Sequence, residues 1–207
     1  MDQLRFPGSE SFEDLRTYVT RARSLDTDGA IRLQCHGLTL AAYVDVLPGR
    51  GVLTTGAIIG LRVMTLAEPA DVDVIVSLAS VRERLARGRA STFSIPPTTV
   101  RVGWAAVAPP RSGWEPVGDV NVADLKATAT QGIAEIAQGA PEGARASVVA
   151  ALRERVWARD SQTTPPIPSG AAFAAYALGF LTQDSARVFA HGRWTRLSTP
   201  TGHVLVC

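Results

Sequence analysis

Residues 31–46 read IRLQCHGLTLAAYVDV, and their alternation decides the fold class. Ile31, Leu33 and Cys35 fall on one side of an extended chain, with Arg32 and Gln34 on the other. Successive side chains of a strand point to opposite faces, so this is the pattern of a strand with one buried face. After His36-Gly37 the alternation resumes through Leu38, Leu40, Ala42, Val44 and Val46. Glycine tolerates the positive φ of a tight turn, so the two runs predict an antiparallel hairpin. Further strands are expected at 57–66, dense in Ile, Leu, Val and Met, at 72–76 and at 99–107. The last is bracketed by Pro96-Pro97 and Pro109-Pro110, which cannot donate to a ladder and so mark its ends.

Helical periodicity flanks these strands. Phe12, Leu15, Val19 and Ala22 predict a helix from Phe12 to about Leu25, opened by a Ser11–Asp14 capping box and closed by a turn over Asp26–Gly29. Ser77 caps a helix from Leu78 to Arg87, with Gly88 as its stop. The second half is mainly helical. Asn121 or Val122 opens one helix, with Leu125, Ile133 and Ile136 inward, ending near Gly139. Pro141-Glu142 starts another that runs to Trp157, and Ser169 caps a third from Gly170 to about Thr182. That third helix is apolar nearly all round and should be buried. Phe173, Ala177, Phe180 and Leu181 are its expected core positions, with Phe173 and Phe180 meeting on one face. Short strands at 187–190, 193–197 and 203–206 close the chain. The class is therefore α+β: an antiparallel sheet with an N-terminal helix, a helical second half and a C-terminal β-meander. A soft boundary at 108/109 divides a sheet-rich lobe, 1–108, from a helical lobe with the meander, 109–207, unless the two form one compact domain.

Composition excludes several classes. Apolar residues make up 46% and charged residues 19% of 207, a balance that belongs to a folded chain with its own core. No apolar run approaches the ~18–20 residues of a membrane span, the longest being Ala171–Leu181. Arg5 is followed by no apolar block, so no secretory signal is expected and a cytoplasmic location is. Cys35 and Cys207 are too far apart in sequence and too few to suggest a disulfide framework. A net charge of +2 is too small to call for a polyanion, so neither nucleic acid nor a membrane is the expected partner. The positive charge comes from one lysine, Lys126, and 20 arginines, the usage of a GC-rich genome.

No catalytic constellation is legible. His36 and His191 each precede a glycine at an expected turn. His203 and Cys207 share a strand face, but four residues of strand separate them by ~13 Å, too far to hold one metal ion. Neither a G-x-S-x-G elbow nor a phosphate- or dinucleotide-binding glycine pattern is present, so no cofactor and no metal are expected. Arg82, Arg84, Arg87 and Arg89 form the densest positive cluster, placed where cations complement the C-terminal end of a helix dipole. The candidate binding residues are Arg111 and Trp114, in the proline-rich loop Pro109–Gly118. Arg111 offers a fork of donors for a carboxylate or phosphate and Trp114 a flat apolar surface. The competing reading is that Trp114 seals the loop onto the sheet. Trp194 reads as core, with Arg193 and Arg196 facing away as surface.

Two stretches carry a resemblance: PPRSGWEPVG at 109–118, followed by the helix holding Gly132 and Ile133, and GAAFAAYALGFL at 170–181, leading into GRWTRLSTPTGHVLV at 192–206. With GLR at 60–62 they resemble a family of actinobacterial proteins that carry two domains of unknown function in tandem. The resemblance implies a high-GC source and covers most of the chain, but brings no activity or catalytic residue with it. The function expected from the sequence is therefore that of a non-enzymatic binding or scaffold protein, with a homo-oligomer as the candidate assembly. One alternative is a winged-helix DNA-binding module, since three helices and a hairpin follow one another from Val122 to Val206. Against it, Ala171–Leu181 has no Arg, Lys, Asn or Gln to reach base edges. The other alternative is an enzyme whose site assembles from scattered residues.

Overall fold

In a computed structural model, residues 3–49, 51, 55–87, 91–106, 108–140, 143 and 145–207 are described. The chain divides into two compact units, Met1–Val46 with Ile59–Ala108, and Leu47–Ile58 with Pro109–Cys207. Both mix helices with antiparallel strands, as the α+β reading requires.

The first unit holds β1 (Gln3–Arg5), α1 (Ser9–Leu25), most of β2 (Ala30–Leu47) and β3 (Ile58–Ser77), α2 (Leu78–Arg87) and β4 (Thr92–Ser94). The apolar stripe of α1 buries Phe12, Leu15, Tyr18, Val19 and Ala22, and α1 packs on α2, which buries Leu78, Val81 and Leu85. Ser77 caps α2 as expected, its Oγ accepting from Ser80 N–H at 3.1 Å. Gly88 and Arg89 lie outside the described residues. The Ser11–Asp14 capping box does not form. The helix begins three residues earlier than expected, at Ser9, and Asp14 instead accepts from the Arg62 guanidinium on β3.

The two runs of residues 31–46 belong to one element, β2, and those at 57–66 and 72–76 to another, β3. Within β2 the buried positions change parity at Gly37, from Ile31, Leu33 and Cys35 to Leu40, Ala42, Val44 and Val46. Gly37 takes φ +57 there, so the glycine resets which face is buried. The strand expected at 99–107 is not formed. Val100 N–H makes one bond to Ile75 carbonyl, and the chain then turns into a 3₁₀ segment at Gly103–Ala106. Its valines alternated, but none of the described residues there is buried, and without burial alternation alone does not hold a strand. The short pair β1 and β4, in which Leu4 lies opposite Phe93, was not expected from side-chain spacing.

The second unit is a sheet with three helices, α3 (Val122–Gly139), α4 (Ala146–Ala158) and α5 (Ser169–Ala177). Strands β5 (Glu115–Asn121), β6 (Ser185–His191), β7 (Trp194–Thr199) and β8 (Gly202–Val206) lie side by side, each antiparallel to the next. Strand β5 begins inside the stretch read as a loop. Asn121 caps α3, its Oδ1 accepting from Ala123 N–H at 2.8 Å. The buried face of α3 is Val122, Leu125, Ala129 and Gly132, so Ile133, expected inward, stands 40% exposed on the other side. Small residues on that face admit a large neighbour: the Trp157 ring of α4 lies over Gly132. Helix α4 starts at Ala146, later than expected, and Pro141-Glu142 lie outside the described residues.

Helix α5 is shorter than its apolar run. It stops at Ala177, because Gly179 takes φ +73 while Phe180 N–H bonds Ala175 carbonyl and Gly179 N–H bonds Tyr176 carbonyl. This left-handed closure satisfies the last carbonyls and turns Phe180 out of the helix. Phe173, Phe180 and Leu181 are buried as expected, but Ala177 is not fully so. Phe173 stacks on Trp157 with centroids 4.5 Å apart, while Phe180 covers Gly202. A Cβ at Gly202 would meet the Phe180 ring at 2.4–2.7 Å. Gly202→Ala should therefore cost about 2 kcal/mol by overpacking, lowering Tm by roughly 4–8 °C. A melt within a degree of wild type would mean that Phe180 does not close over β8. Among the described residues, no helix is long and apolar enough to cross a membrane.

Candidate binding face

Strand register in the second unit builds a face from the sequence upward. Pro116, Phe189, Arg196 and Leu205 are directly opposite one another on β5, β6, β7 and β8. Residues directly opposite in a ladder share a face, so these four form one row across the sheet. The flanking positions Val120, Ala186, Val188, Leu197 and Val204 are buried, among them the pairs Val120–Ala186 and Leu197–Val204. Alternation places Arg196 on the face of Trp194, two residues away, not opposite it. The reading of Arg196 as a surface residue facing away from Trp194 is thus corrected, and the spacing of two could have shown it.

Trp114 completes the row. It stands two residues before Pro116, and its indole N–H donates to Pro110 carbonyl at 3.0 Å, which folds the loop on itself. The Arg196 Cζ lies 4.6 Å from the Trp114 ring and 4.4 Å from the Phe189 ring. His191 adds a tilted ring contact with Trp114, and its Nδ1–H donates to Gly113 carbonyl at 2.7 Å. Gly113 takes φ +75, and a Cβ there would come within 3.0 Å of the imidazole. A glycine is needed at this point on both counts. A bulge at Val117, between Pro116 and Gly118, leaves that valine 51% exposed beside the row.

Electrostatically the face is under-satisfied. Burial lowers the Arg196 pKa from its usual value, and its Nε is buried with no acceptor. Among the described residues no carboxylate pairs with it. Of the two candidates named from sequence, Trp114 is folded against Arg196 and His191, while Arg111 is exposed in the same loop. Among the described residues no three His, Cys, Asp or Glu side chains gather as a metal site would require. Cys35 is buried, its thiol pushed up to about 11 by burial and by the nearby Asp71, and is not joined to Cys207. Of the arginine cluster, Arg82 is exposed and Arg87 pairs with Glu83, one turn away on α2.

A second perturbed group lies in the first unit. Asp45 on β2 is pushed up to about 7, first by burial and then by the charge of Asp26. Its Oδ1 is buried without a partner.

Residues 1–106, just over half the chain, match the family described as a domain of unknown function (DUF8010). The chain belongs to that family. Residues 109–207 match a second one, also described as a domain of unknown function (DUF8185). The DUF8010 and DUF8185 segments stand in tandem, as the resemblance implied. No curated protein matches this chain. Solved structures do. A putative DNA polymerase III beta subunit from Eubacterium rectale is similar over 99% of this chain and 63% of its own, with TM-score 0.59 and 8% identity. The beta clamp of H. pylori is similar over 99% of this chain and 62% of its own, with TM-score 0.53 and 8% identity. The DNA polymerase III beta chain of Streptococcus pneumoniae gives TM-score 0.51 at 9% identity, over 99% and 63%. The chain thus spans less than two thirds of the length of these structures.

These likenesses overturn the functional expectation drawn from the sequence. The generic binding or scaffold protein gives way to a likeness in fold to DNA polymerase III beta subunits and beta clamps over nearly the whole chain. The winged helix fails for the same reason, and locally because β5 joins the hairpin strands in one sheet and the helix meant to read bases is buried from Ser169 to Ala175.

Proposed function

We propose that this protein is a clamp-type holder of duplex nucleic acid, completed by association with further copies of itself. The observation that carries this reading is the sliding-clamp likeness over 99% of the chain. The chain aligns with 62–63% of the length of those structures, and association of copies is the part of the reading that the first arm of the test addresses. The charge is compatible with holding and sliding rather than gripping. Tight non-specific binding requires many neutralised phosphates, and a net charge of +2 offers few. The small charge that argued against nucleic acid from sequence therefore argues only against a tight electrostatic grip.

The test has two arms. Light scattering on a sizing column should give a whole multiple of the chain mass at micromolar concentration. The protein, mixed dilute with a nicked circular duplex and then concentrated, should stay with the circle at ~0.3 M salt, where electrostatic binding has faded, and leave when the circle is cut. A monomer at every concentration, or equal retention on linear and circular duplex, would sink the reading.

A further inference from the structure

We propose that Arg196 anchors a docking site for an acidic peptide segment, its guanidinium edge taking a carboxylate beside an apolar residue seated on Trp114, Pro116 and Val117. This inference does not rest on the clamp reading.

The case begins with what Arg196 lacks. Arg196 is half-buried, and an arginine drawn into a protein surface in this way is usually matched by a carboxylate or by carbonyl oxygens. Arg196 meets two aromatic rings through its flat guanidinium, at 4.6 and 4.4 Å. Ring contacts of this kind supply no ordinary hydrogen-bond acceptor to the N–H donors. The Nε is buried and unsatisfied, and among the described residues no ion pair engages the group. A partner that brings a carboxylate would engage the part of the half-buried guanidinium that solvent still reaches, through a two-pronged, charge-assisted contact.

The site is also built in advance. Trp114 is tied by its indole N–H to Pro110, and the Gly113 carbonyl by the His191 ring, so little ordering cost would remain at binding. Charge complementarity selects the partner. Arg111 and Arg193 are exposed nearby in sequence, on the loop before β5 and the turn before β7. Glu115, the one acidic residue of the 109–118 loop, lies in register with Ala190, and so on the opposite face from Pro116 and Phe189. Peptide is favoured over nucleic acid because the guanidinium already stacks on Trp114 and Phe189, whereas single strands are bound by stacking bases on free rings along a strongly basic groove. The exposed Pro116 in the row and Val117 beside it instead offer an apolar seat of side-chain size.

The experiment titrates the full-length, ¹⁵N-labelled protein with the end-capped peptide Leu-Glu-Glu-Leu-Glu and follows the Trp114 indole and Arg196 Nε–H resonances. Both are expected to move saturably, and the glutamine counterpart of the peptide should leave them in place. Arg196→Lys keeps the charge but removes the fork, and should weaken binding by about tenfold. Its melting temperature checks that the fold survives, and Arg196→Gln should weaken binding at least as much. No movement up to millimolar peptide overturns the proposal, as do equal shifts with the glutamine peptide or undiminished binding by Arg196→Lys. A short duplex, or inorganic phosphate, that moves the same resonances more strongly than the peptide overturns it in favour of a phosphate ligand. Oligomer mass and retention on circular duplex do not read this face, so the clamp reading can stand or fall separately.

Discussion

Asp45→Asn should make the protein more stable by up to about 4 kcal/mol at pH 8 and leave it unchanged at pH 4. The carboxyl of Asp45 is pushed from its usual 3.8 to about 7 by burial, with the Asp26 charge adding to the effect. An acid whose folded pKa lies above its unfolded value takes up a proton on folding. Its cost is absent below about pH 4, grows as the pH rises, and is complete above about 7. Wild-type stability should therefore fall across that window by the contribution of this one group. Asparagine has the shape of the protonated acid and cannot ionise, so it removes the slope. Urea unfolding at pH 4, 6 and 8 reads the difference directly. An equal effect of the substitution at all three pH values would show that charge burial at Asp45 is not the cause.

Trp157→Ala should be the most damaging single truncation in the second unit, at about 4 kcal/mol and a Tm lower by roughly 8–16 °C. The ring is 3% exposed and stacks on Phe173 with an interplanar angle of 19°. It also fills the notch that Gly132 leaves on α3, where a Cβ would fall 2.3 Å from the ring. The same contact makes a sharper test through Gly132→Ala. In the wild-type background the added methyl collides with a buried ring, and the variant should lose stability. In the Trp157→Ala background the collision is gone, and alanine is the better helix former by up to ~1 kcal/mol. Gly132→Ala should then become neutral or stabilising. Additive losses in the double variant would mean that the two residues do not share one packing site.

The parts of the fold that were legible are those where burial and backbone period agree. The stripe of α1, the Ser77 and Asn121 caps and the C-terminal meander follow from side-chain spacing and short-range hydrogen bonding alone. Errors arose where a single glycine or a long-range contact decides. Gly179 ends α5 at Ala177, although the apolar run continues to Leu181, and Gly132 turns the buried face of α3 away from Ile133 toward Trp157. Strands β1 and β4 depend on each other across the first unit, and neither has enough alternation to announce itself. The candidate face was half legible. The Pro109–Gly118 loop pointed to Trp114, but its neighbour Arg196 is 82 residues further on and is brought there only by the β5–β6–β7 register. The clamp fold itself was not legible, because at 7–9% identity no stretch of residues carries the likeness.

The assignment of residues 47–58 to the second unit bears on how the two families can be inherited. In that unit Ala57 carbonyl accepts from Cys207 N–H, Gly56 N–H donates to Cys207 carbonyl, and Gly170 faces Leu47 and Ile58. A segment donated from within the DUF8010 half thus completes the far end of the DUF8185 half. Splitting a gene between codons 108 and 109 would strip the downstream product of that segment and leave the last residue of β8's chain without its backbone partners. Recombination that shuffles either half alone is penalised at once, so the pair is expected to travel through evolution as a single heritable block.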